Sequence, residues 1–119
     1  MTTVDPAHIV GTGGALGAVL RYELSMRIDT EELPLGTLTV NVVGSFVLAL
    51  LAFVSPSESL QLFFGTGACG SFTTFSSFSY EIVRFWEAGE KIRAIGYSIG
   101  TLSGAGGAIG LAWLLATFV

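Results

Sequence analysis

The sequence predicts an all-α integral membrane protein with four transmembrane helices in one domain spanning residues 1–119. Hydrophobic residues make up 51% of the chain and charged residues only 12%, and the mean hydropathy is +0.73. A soluble domain has about 25% charged residues. The charges lie between four apolar stretches at roughly 9–20, 33–54, 60–80 and 94–119. Because one helical span takes about 20 residues, four spans with short connections account for nearly the whole chain.

The four predicted helices cover residues 7–26, 35–54, 60–86 and 93–118, and turn residues separate them. The first is a span and not a secretory signal, because Arg21 and Arg27 follow its apolar stretch instead of preceding it. Pro34 closes the first connection, and the second, at 55–59, contains Pro56 among helix-starting serines. The third connection covers 87–93. These elements leave no room for a separate soluble domain.

Glycines recur at a four-residue spacing in the first and last predicted helices. Small residues at this spacing let the backbones of membrane helices approach closely. The spacing therefore predicts tight helix contacts, and it leaves open whether they form within one subunit or between two. The glycines concerned are Gly13 and Gly17, then Gly96, Gly100 and Gly104, and finally Gly106 and Gly110.

Two polar residues in the first two spans need partners. Asn41 lies in the middle of the second span, where an amide without a partner in hydrocarbon is costly, so it must face the interior. An amide side chain at this position can either hydrogen bond to another helix or line a transport pathway. Arg21 ends the first span, where a guanidinium can reach the interface. The alternative is an arginine at the mouth of a pore, where it would attract anions.

The third stretch combines low charge with high polarity. Residues 60–80 carry no charge, yet 65–79 are mostly small, hydroxyl and phenylalanine residues. We expect the helix to unwind at 70–74, because glycine is permissive and hydroxyls can bind the freed backbone groups. Unwound carbonyls can coordinate sodium. Phe75 and Phe78 are three residues apart, so they share a helical face and form either a core stripe or an aromatic edge that meets an anion.

Three segments together resemble the signature segments of the CrcB/Fluc fluoride channel family. They read Gly-Gly-Ala-Leu-Gly-Ala-Val-Leu-Arg-Tyr at 13–22, Gly-Thr-Leu-Thr-Val-Asn-Val-Val-Gly-Ser-Phe at 36–46, and Gly-Ala-Cys-Gly-Ser-Phe-Thr-Thr-Phe-Ser-Ser-Phe at 67–78. Their order and spacing match over nearly the full length. The sequence departs from the family pattern at Ser77, where threonine is usual, and at Ala49, where glycine is frequent.

The resemblance implies a passive fluoride-specific channel of the cell membrane that lowers cytoplasmic fluoride. It implies an antiparallel dimer of four-helix subunits, with the third helix broken and two pores. Phe75 and Phe78 would flank the fluoride path, Asn41 would be the pore amide, and Arg21 would lie in the vestibule. The carbonyls of Gly70 and Thr73 would bind a structural sodium ion, which is not transported, at the dimer centre. Further members of the polar track would be Ser76, Ser77 and Tyr97, with Thr101 as a weaker candidate.

Two other classes of function remain as alternatives to a channel. A small four-helix, proton-coupled exporter of cations or drugs needs a titratable carboxylate at membrane depth. The first two spans contain none, and Glu81 is expected near a helix end. A non-transporting membrane assembly subunit would leave Asn41 and the polar third stretch unexplained. The sequence has no metal-ligand cluster, phosphate loop or nucleophile with a base, so we expect no enzyme.

The basic residues predict an orientation. Four spans place both termini and the 55–59 turn on one side of the membrane, and these segments contain no lysine or arginine. The positive-inside rule then puts the other two connections in the cytoplasm and both termini outside. A chain that inserts equally both ways should lack this bias, so we expect an oppositely oriented paralogue as partner, with a homodimer as the alternative. The basic residues are Arg21, Arg27, Arg84, Lys91 and Arg93.

Overall fold

The computed structural model describes residues 4–54 and 56–119, which form helices and short connections. Helix α1 covers Pro6–Ile28 and α2 covers Leu35–Val54. Helix α3 is one continuous segment made of Glu58–Leu60, a π-helix over Gln61–Cys69, and Gly70–Phe72. Helix α4 covers Phe75–Glu87 and α5 covers Lys91–Ala116. The predicted all-helical class is therefore confirmed for the described residues.

Short polar side chains and one glycine set the helix ends. The carboxylate of Asp5 accepts a hydrogen bond from the Ala7 N–H at 2.9 Å at the start of α1. Ser57 accepts one from the Leu60 N–H at 3.4 Å, as the serine-rich turn predicted; Ser55 of that turn lies outside the described residues. The turn between α4 and α5 contains Gly89 at a φ of 80°, a conformation that favours glycine.

The glycines of α1 make the closest helix contact in the subunit. Helix α1 packs chiefly on the π-helical part of α3, α2 packs chiefly on α5, and α4 also packs on α5. A Cβ atom at Gly13 would lie 2.1 Å from the Phe63 carbonyl oxygen, and one at Gly17 would lie 2.1 Å from that of Ala68. The predicted close contact is thus confirmed for this pair, within one subunit.

The glycines of α5 behave differently from those of α1. A Cβ atom at Gly104 would meet only the side chain of Val42, at 3.0 Å. The other glycines of the predicted α5 spacing have open space within 4 Å, so they make no close contact inside the described subunit; they are Gly96, Gly100, Gly106 and Gly110.

Helices α2 and α5 are long and apolar enough to cross a membrane. Their mean hydropathies are 2.2 and 1.5 over the most apolar windows, and they are the two helices of the described chain that meet this criterion by length and composition. Large apolar side chains on α5, such as Ile99 and Leu102, are mostly exposed in the isolated subunit. Such a surface suits contact with lipid or with another subunit.

The break in the third span is shorter than predicted. Gly70 keeps helical torsions, with φ −59° and ψ −35°, whereas Thr73 has a ψ of 161° and Thr74 a φ of −154°. The predicted break within 70–74 is therefore present, but it is confined to Thr73 and Thr74 and leaves Gly70 helical. Glycine permits unwinding but does not impose it, and the helix ends where another element binds the backbone. The π-helix was not predicted; in it the Gly70 N–H donates to the Gly65 carbonyl, five residues earlier.

Candidate functional site

Asn41 holds the break between α3 and α4. Its Oδ1 accepts a hydrogen bond from the Thr74 N–H at 2.7 Å, and its Nδ2 donates to the Thr74 carbonyl at 2.9 Å. The amide of α2 thereby replaces the helical acceptor of the Thr74 N–H and adds a second donor to the Thr74 carbonyl, which as the N-cap also accepts the first hydrogen bond of α4. The predicted interior position is confirmed, and the interhelical hydrogen bond is present. One N–H of the Asn41 amide remains in addition to the one that binds Thr74.

Asn41 also lines a cavity beside the break, which we call the phenylalanine cavity. It is open and has a volume of about 240 Å³. Polar groups occur beside the exposed ring of Phe75 and the buried ring of Phe78, whose centroids are 5.8 Å apart. The two rings share one face of α4, as their spacing predicted. The cavity is lined by Asn41, Ser45, Leu48, Thr73, Thr74, Phe75, Phe78, Thr101, Leu102 and Ala105.

Two buried hydroxyls lie next to these rings. Tyr97 and Thr101 are one turn apart on α5 and are 5% and 3% exposed. The Tyr97 ring lies 5.8 Å from that of Phe78 and 5.9 Å from that of Phe85, measured between centroids. Neither hydroxyl makes a hydrogen bond of good geometry among the described residues, although the hydroxyls of Thr37 and Thr101 lie near that of Tyr97. Buried hydroxyls without partners are unusual in proteins, and such groups can donate to a ligand.

A second cavity opens on the side of the α1–α2 connection, and we call it the acidic cavity. It has a volume of about 490 Å³. Ser76 and Ser77 line it from the first turn of α4, and buried Thr37 lines it from α2. Thr37 was missed in the sequence, although it stands one helical turn before Asn41 and so shares its face. The lining is formed by Ser25, Asp29, Pro34, Thr37, Ser76, Ser77, Tyr80 and Glu81.

Hydroxyl groups connect the two cavities. Thr74 of the phenylalanine cavity and Ser76 of the acidic cavity hydrogen bond through their hydroxyls at 3.2 Å. Thr74 also accepts the Ser77 N–H at 3.1 Å, which starts α4. Helix α2 places Thr37 in one cavity and Asn41 in the other. One track therefore includes both cavities. Four of the predicted polar residues line it, namely Asn41, Ser76, Ser77 and Thr101, whereas Tyr97 lines neither cavity.

Glu81 lies in the middle of α4, contrary to expectation. The sequence placed it near the end of a long third helix, but α4 begins only at Phe75 because of the break. Its carboxylate accepts two hydrogen bonds from Arg84, from Nε at 2.9 Å and from Nη2 at 2.7 Å. A carboxylate thus lines the acidic cavity, together with that of Asp29.

Arg21 reaches the break instead of extending away from the subunit. Its guanidinium is half-buried and donates to the Thr73 carbonyl at 3.3 Å. It does not line either cavity described above.

The carbonyls predicted to bind sodium are partly freed by the break. The Thr74 N–H, which would bind the Gly70 carbonyl in a continuous α-helix, binds Asn41. The Ser77 N–H, the corresponding donor for the Thr73 carbonyl, binds the Thr74 hydroxyl. Carbonyl oxygens are ligands that a hard cation accepts. The two carbonyls suit part of a sodium coordination shell, but the Arg21 guanidinium that binds the Thr73 oxygen would repel a cation at that atom and would have to move away when sodium binds.

A model of the family described as "CrcB-like protein, Camphor Resistance (CrcB)" matches residues 8–114. The chain belongs to the CrcB family. The predicted family is therefore confirmed, and residues 8–114 contain all three signature segments.

Curated CrcB relatives match this chain over most of their length. Fluoride-specific ion channel FluC 1 of Halobacterium salinarum is 54% identical over 110 residues, which cover 92% of each chain. Fluoride-specific ion channel FluC 2 of Haloarcula marismortui is 53% identical over 113 residues, 95% of each chain. Fluoride-specific ion channel FluC of Thermotoga maritima is 44% identical, covering 78% of this chain and 80% of the relative. These names describe ion channels, which are not enzymes.

Proposed function

We propose that this CrcB protein is a passive, fluoride-specific channel of the cell membrane that lowers cytoplasmic fluoride. The observation that carries the proposal is 54% identity, over 92% of both chains, to a protein named as a fluoride-specific ion channel. The alternatives of an exporter and of an assembly subunit have no such support. Membership of the family also supports a membrane location.

The chemistry of the two cavities supports fluoride as the permeant ion. Fluoride is small and strongly hydrated, so a pore must replace its water with several donors and avoid a deep positive charge that would trap it. The track offers hydroxyls, the Asn41 amide and the edges of Phe75 and Phe78. Aromatic edges carry positive charge density. The roles we assign are to Phe75, Phe78, Asn41, Ser76, Ser77, Tyr97 and Thr101, while Arg21 acts at the break.

Fluoride release from liposomes tests the channel. The purified chain is reconstituted alone, and fluoride and chloride release are followed with ion-selective electrodes. We expect rapid fluoride release that exceeds chloride release by orders of magnitude, insensitivity to an imposed pH gradient, and loss of release in Phe75→Ile and Asn41→Asp. Release driven by a pH gradient would support the exporter. If the chain is silent alone and with every oppositely oriented paralogue, the channel proposal is wrong.

We further propose four spans per subunit and an antiparallel dimer. The open glycines and exposed apolar side chains of α5 support a contact with a second subunit. The basic residues favour one orientation with both termini outside, so the partner is an oppositely oriented paralogue or, alternatively, a second copy. Labelling of a C-terminal cysteine tag from each side of intact cells tests the orientation. Comparable labelling from both sides would contradict a single orientation.

We also propose that sodium binds at the dimer centre as a structural ion. The Gly70 and Thr73 carbonyls lack their usual helical donors, which supports this assignment. One subunit would supply two oxygens, so the partner subunit would complete the coordination. When bound, sodium would hold the two broken helices together without being transported.

A further inference from the structure

Two carboxylates line the acidic cavity, although the cavity belongs to a track proposed to carry an anion. Asp29 and Glu81 face it together with the hydroxyls of Ser76 and Ser77. An uncompensated negative charge at such a position repels fluoride and lowers its local concentration. The structure must therefore cancel these charges if fluoride is to pass.

Asp29 is compensated by a helix N-terminus. Its Oδ1 accepts a hydrogen bond from the Gly36 N–H at 2.6 Å, in the first turn of α2. The first N–H groups of a helix lack partners within the helix and carry partial positive charge, so they stabilise a carboxylate there. The contact joins the end of α1 to the start of α2. It requires glycine at position 36, because a Cβ atom there would lie 2.7 Å from Asp29 Oδ1.

Glu81 is compensated by Arg84. The Nε and Nη2 atoms of Arg84 both donate to Glu81 Oε2, at 2.9 and 2.7 Å. The Glu81 side chain is 19% exposed and that of Arg84 is 46% exposed. Arg84 does not itself line the cavity. It lies over the ring of buried Phe85, 4.9 Å from the centroid, which holds the guanidinium in place behind the carboxylate.

We propose that Arg84 is a positioning residue that keeps the acidic cavity permissive for anions by neutralising Glu81. The inference rests on the proposed channel function. Removal of Arg84 would expose one negative charge to fluoride. A unit negative charge about 6 Å from the fluoride path would lower the local fluoride concentration about 3-fold in bulk water and about 100-fold at an effective dielectric constant of 20. We expect a fall in fluoride release of about tenfold at low ionic strength.

The dependence of the rate on salt, measured beside thermal stability, distinguishes this role from ordinary helix stabilisation. The Debye length is about 30 Å at 0.01 M and about 3 Å at 1 M. Fluoride release by the wild type and by Arg84→Gln is measured in liposomes at both ionic strengths, in the subunit composition that conducts. Potassium gluconate sets the ionic strength, and the sodium concentration is held constant. We expect the loss in Arg84→Gln to shrink to about twofold or less at 1 M. Salt also weakens an ion pair that only stabilises α4, so the melting temperatures of both proteins are measured at the same two ionic strengths. A pair with only that role would lower the rate in proportion to a loss of stability, whereas neutralisation of Glu81 predicts a lower rate in a protein that melts like the wild type.

Three further variants complete the test. Arg84→Lys retains the charge and is expected to release fluoride within about twofold of the wild type. The double variant Glu81→Gln/Arg84→Gln removes both charges and is expected to recover most of the lost rate. Arg27→Gln is the matched control, because Arg27 pairs with Glu23 at 3.8 Å and lies outside the cavity; its rate should not change.

Each result bears on a definite claim. A monodisperse Arg84→Gln protein with the wild-type rate at 0.01 M would overturn the inference. A loss that salt does not reduce, or that Glu81→Gln does not rescue, would do the same. A wild type that releases no fluoride in any subunit composition would instead contradict the proposed channel function, on which the inference depends.

Discussion

At the residue scale, Asn41 shows how one side chain can serve both structure and pathway. Both of its polar atoms bind the Thr74 backbone, while the side chain lines the phenylalanine cavity. The two interpretations open in the sequence, interhelical bonding and pathway lining, are therefore compatible. An amide supplies a donor and an acceptor on two separate atoms without charge, so it can bind both the N–H and the carbonyl of one residue.

We expect Asn41→Ala to destabilise the subunit by about 1–3 kcal/mol, because the Thr74 N–H would lose its partner and the Thr74 carbonyl would lose one of its two donors. Fluoride release should also fall. Ser45→Ala is the matched control, since Ser45 lines the same cavity without bonding the break. Unfolding in detergent, followed by circular dichroism, measures the difference. Equal stabilities of the two variants would contradict the structural role of Asn41.

Gly17→Ala should be far more damaging than Gly11→Ala on the same helix. A Cβ atom at Gly17 would lie 2.1 Å from the Ala68 carbonyl oxygen, whereas one at Gly11 meets nothing within 4 Å. We expect Gly17→Ala to lose about 1–3 kcal/mol or fail to fold, as in an overpacked core. Gly11→Ala should match the wild type in monodisperse yield and melting temperature. A fully stable Gly17→Ala protein would show that the contact between α1 and α3 is looser than described.

At the element scale, the third span joins three backbone conformations in one chain segment. The π-helix over Gln61–Cys69 packs on α1. In the extended pair, Thr73 binds Arg21 of α1 and Thr74 binds Asn41 of α2, and α4 begins after them. Isolated π-helical turns are frequent at functional sites. The uncharged, glycine-rich composition predicted a break, but hydrogen bonds from other helices determine its position.

The hydroxyl of Thr74 starts α4, so Thr74→Val should loosen its first turn. The substitution removes the acceptor of the Ser77 N–H and costs about 1 kcal/mol, a typical value for an N-cap. Hydrogen exchange at the Ser77 amide should become at least several-fold faster. Thr12→Val provides the control, because the Thr12 hydroxyl only donates to the His8 carbonyl within α1. Unchanged exchange in Thr74→Val would rule out the cap.

At the scale of the whole molecule, the described subunit has surfaces that it does not cover itself. Glycines of α5 lie open, apolar side chains of the same helix are exposed, and two carbonyls at the break lack helical donors. A second subunit and a sodium ion would satisfy all of these groups. These open groups support the proposed dimer.

Sodium should stabilise the assembly by mass action. A ligand that binds only the folded state adds about 2.7 kcal/mol at a concentration of one hundred times its Kd. We expect the melting temperature in detergent to rise with sodium chloride concentration, and choline chloride at equal ionic strength to give no such rise. An identical response to the two salts would contradict the sodium site while leaving the channel proposal intact.

The amino-acid sequence alone was enough to predict the all-helical fold class, the order of the helices and the family. It also predicted that the track would be lined by amide, hydroxyl and phenylalanine side chains. These features depend on composition, on the spacing of neighbouring residues and on short motifs, all of which can be read without knowing the contacts between helices. The tertiary structure decided what residues distant in sequence do to one another. Arg21 binds the Thr73 carbonyl, and Thr37 lies on the same polar track as Ser76. The spacing of Gly13 and Gly17 predicted a close helix contact, but which helix makes that contact depends on the packing of the whole subunit, which no local pattern specifies.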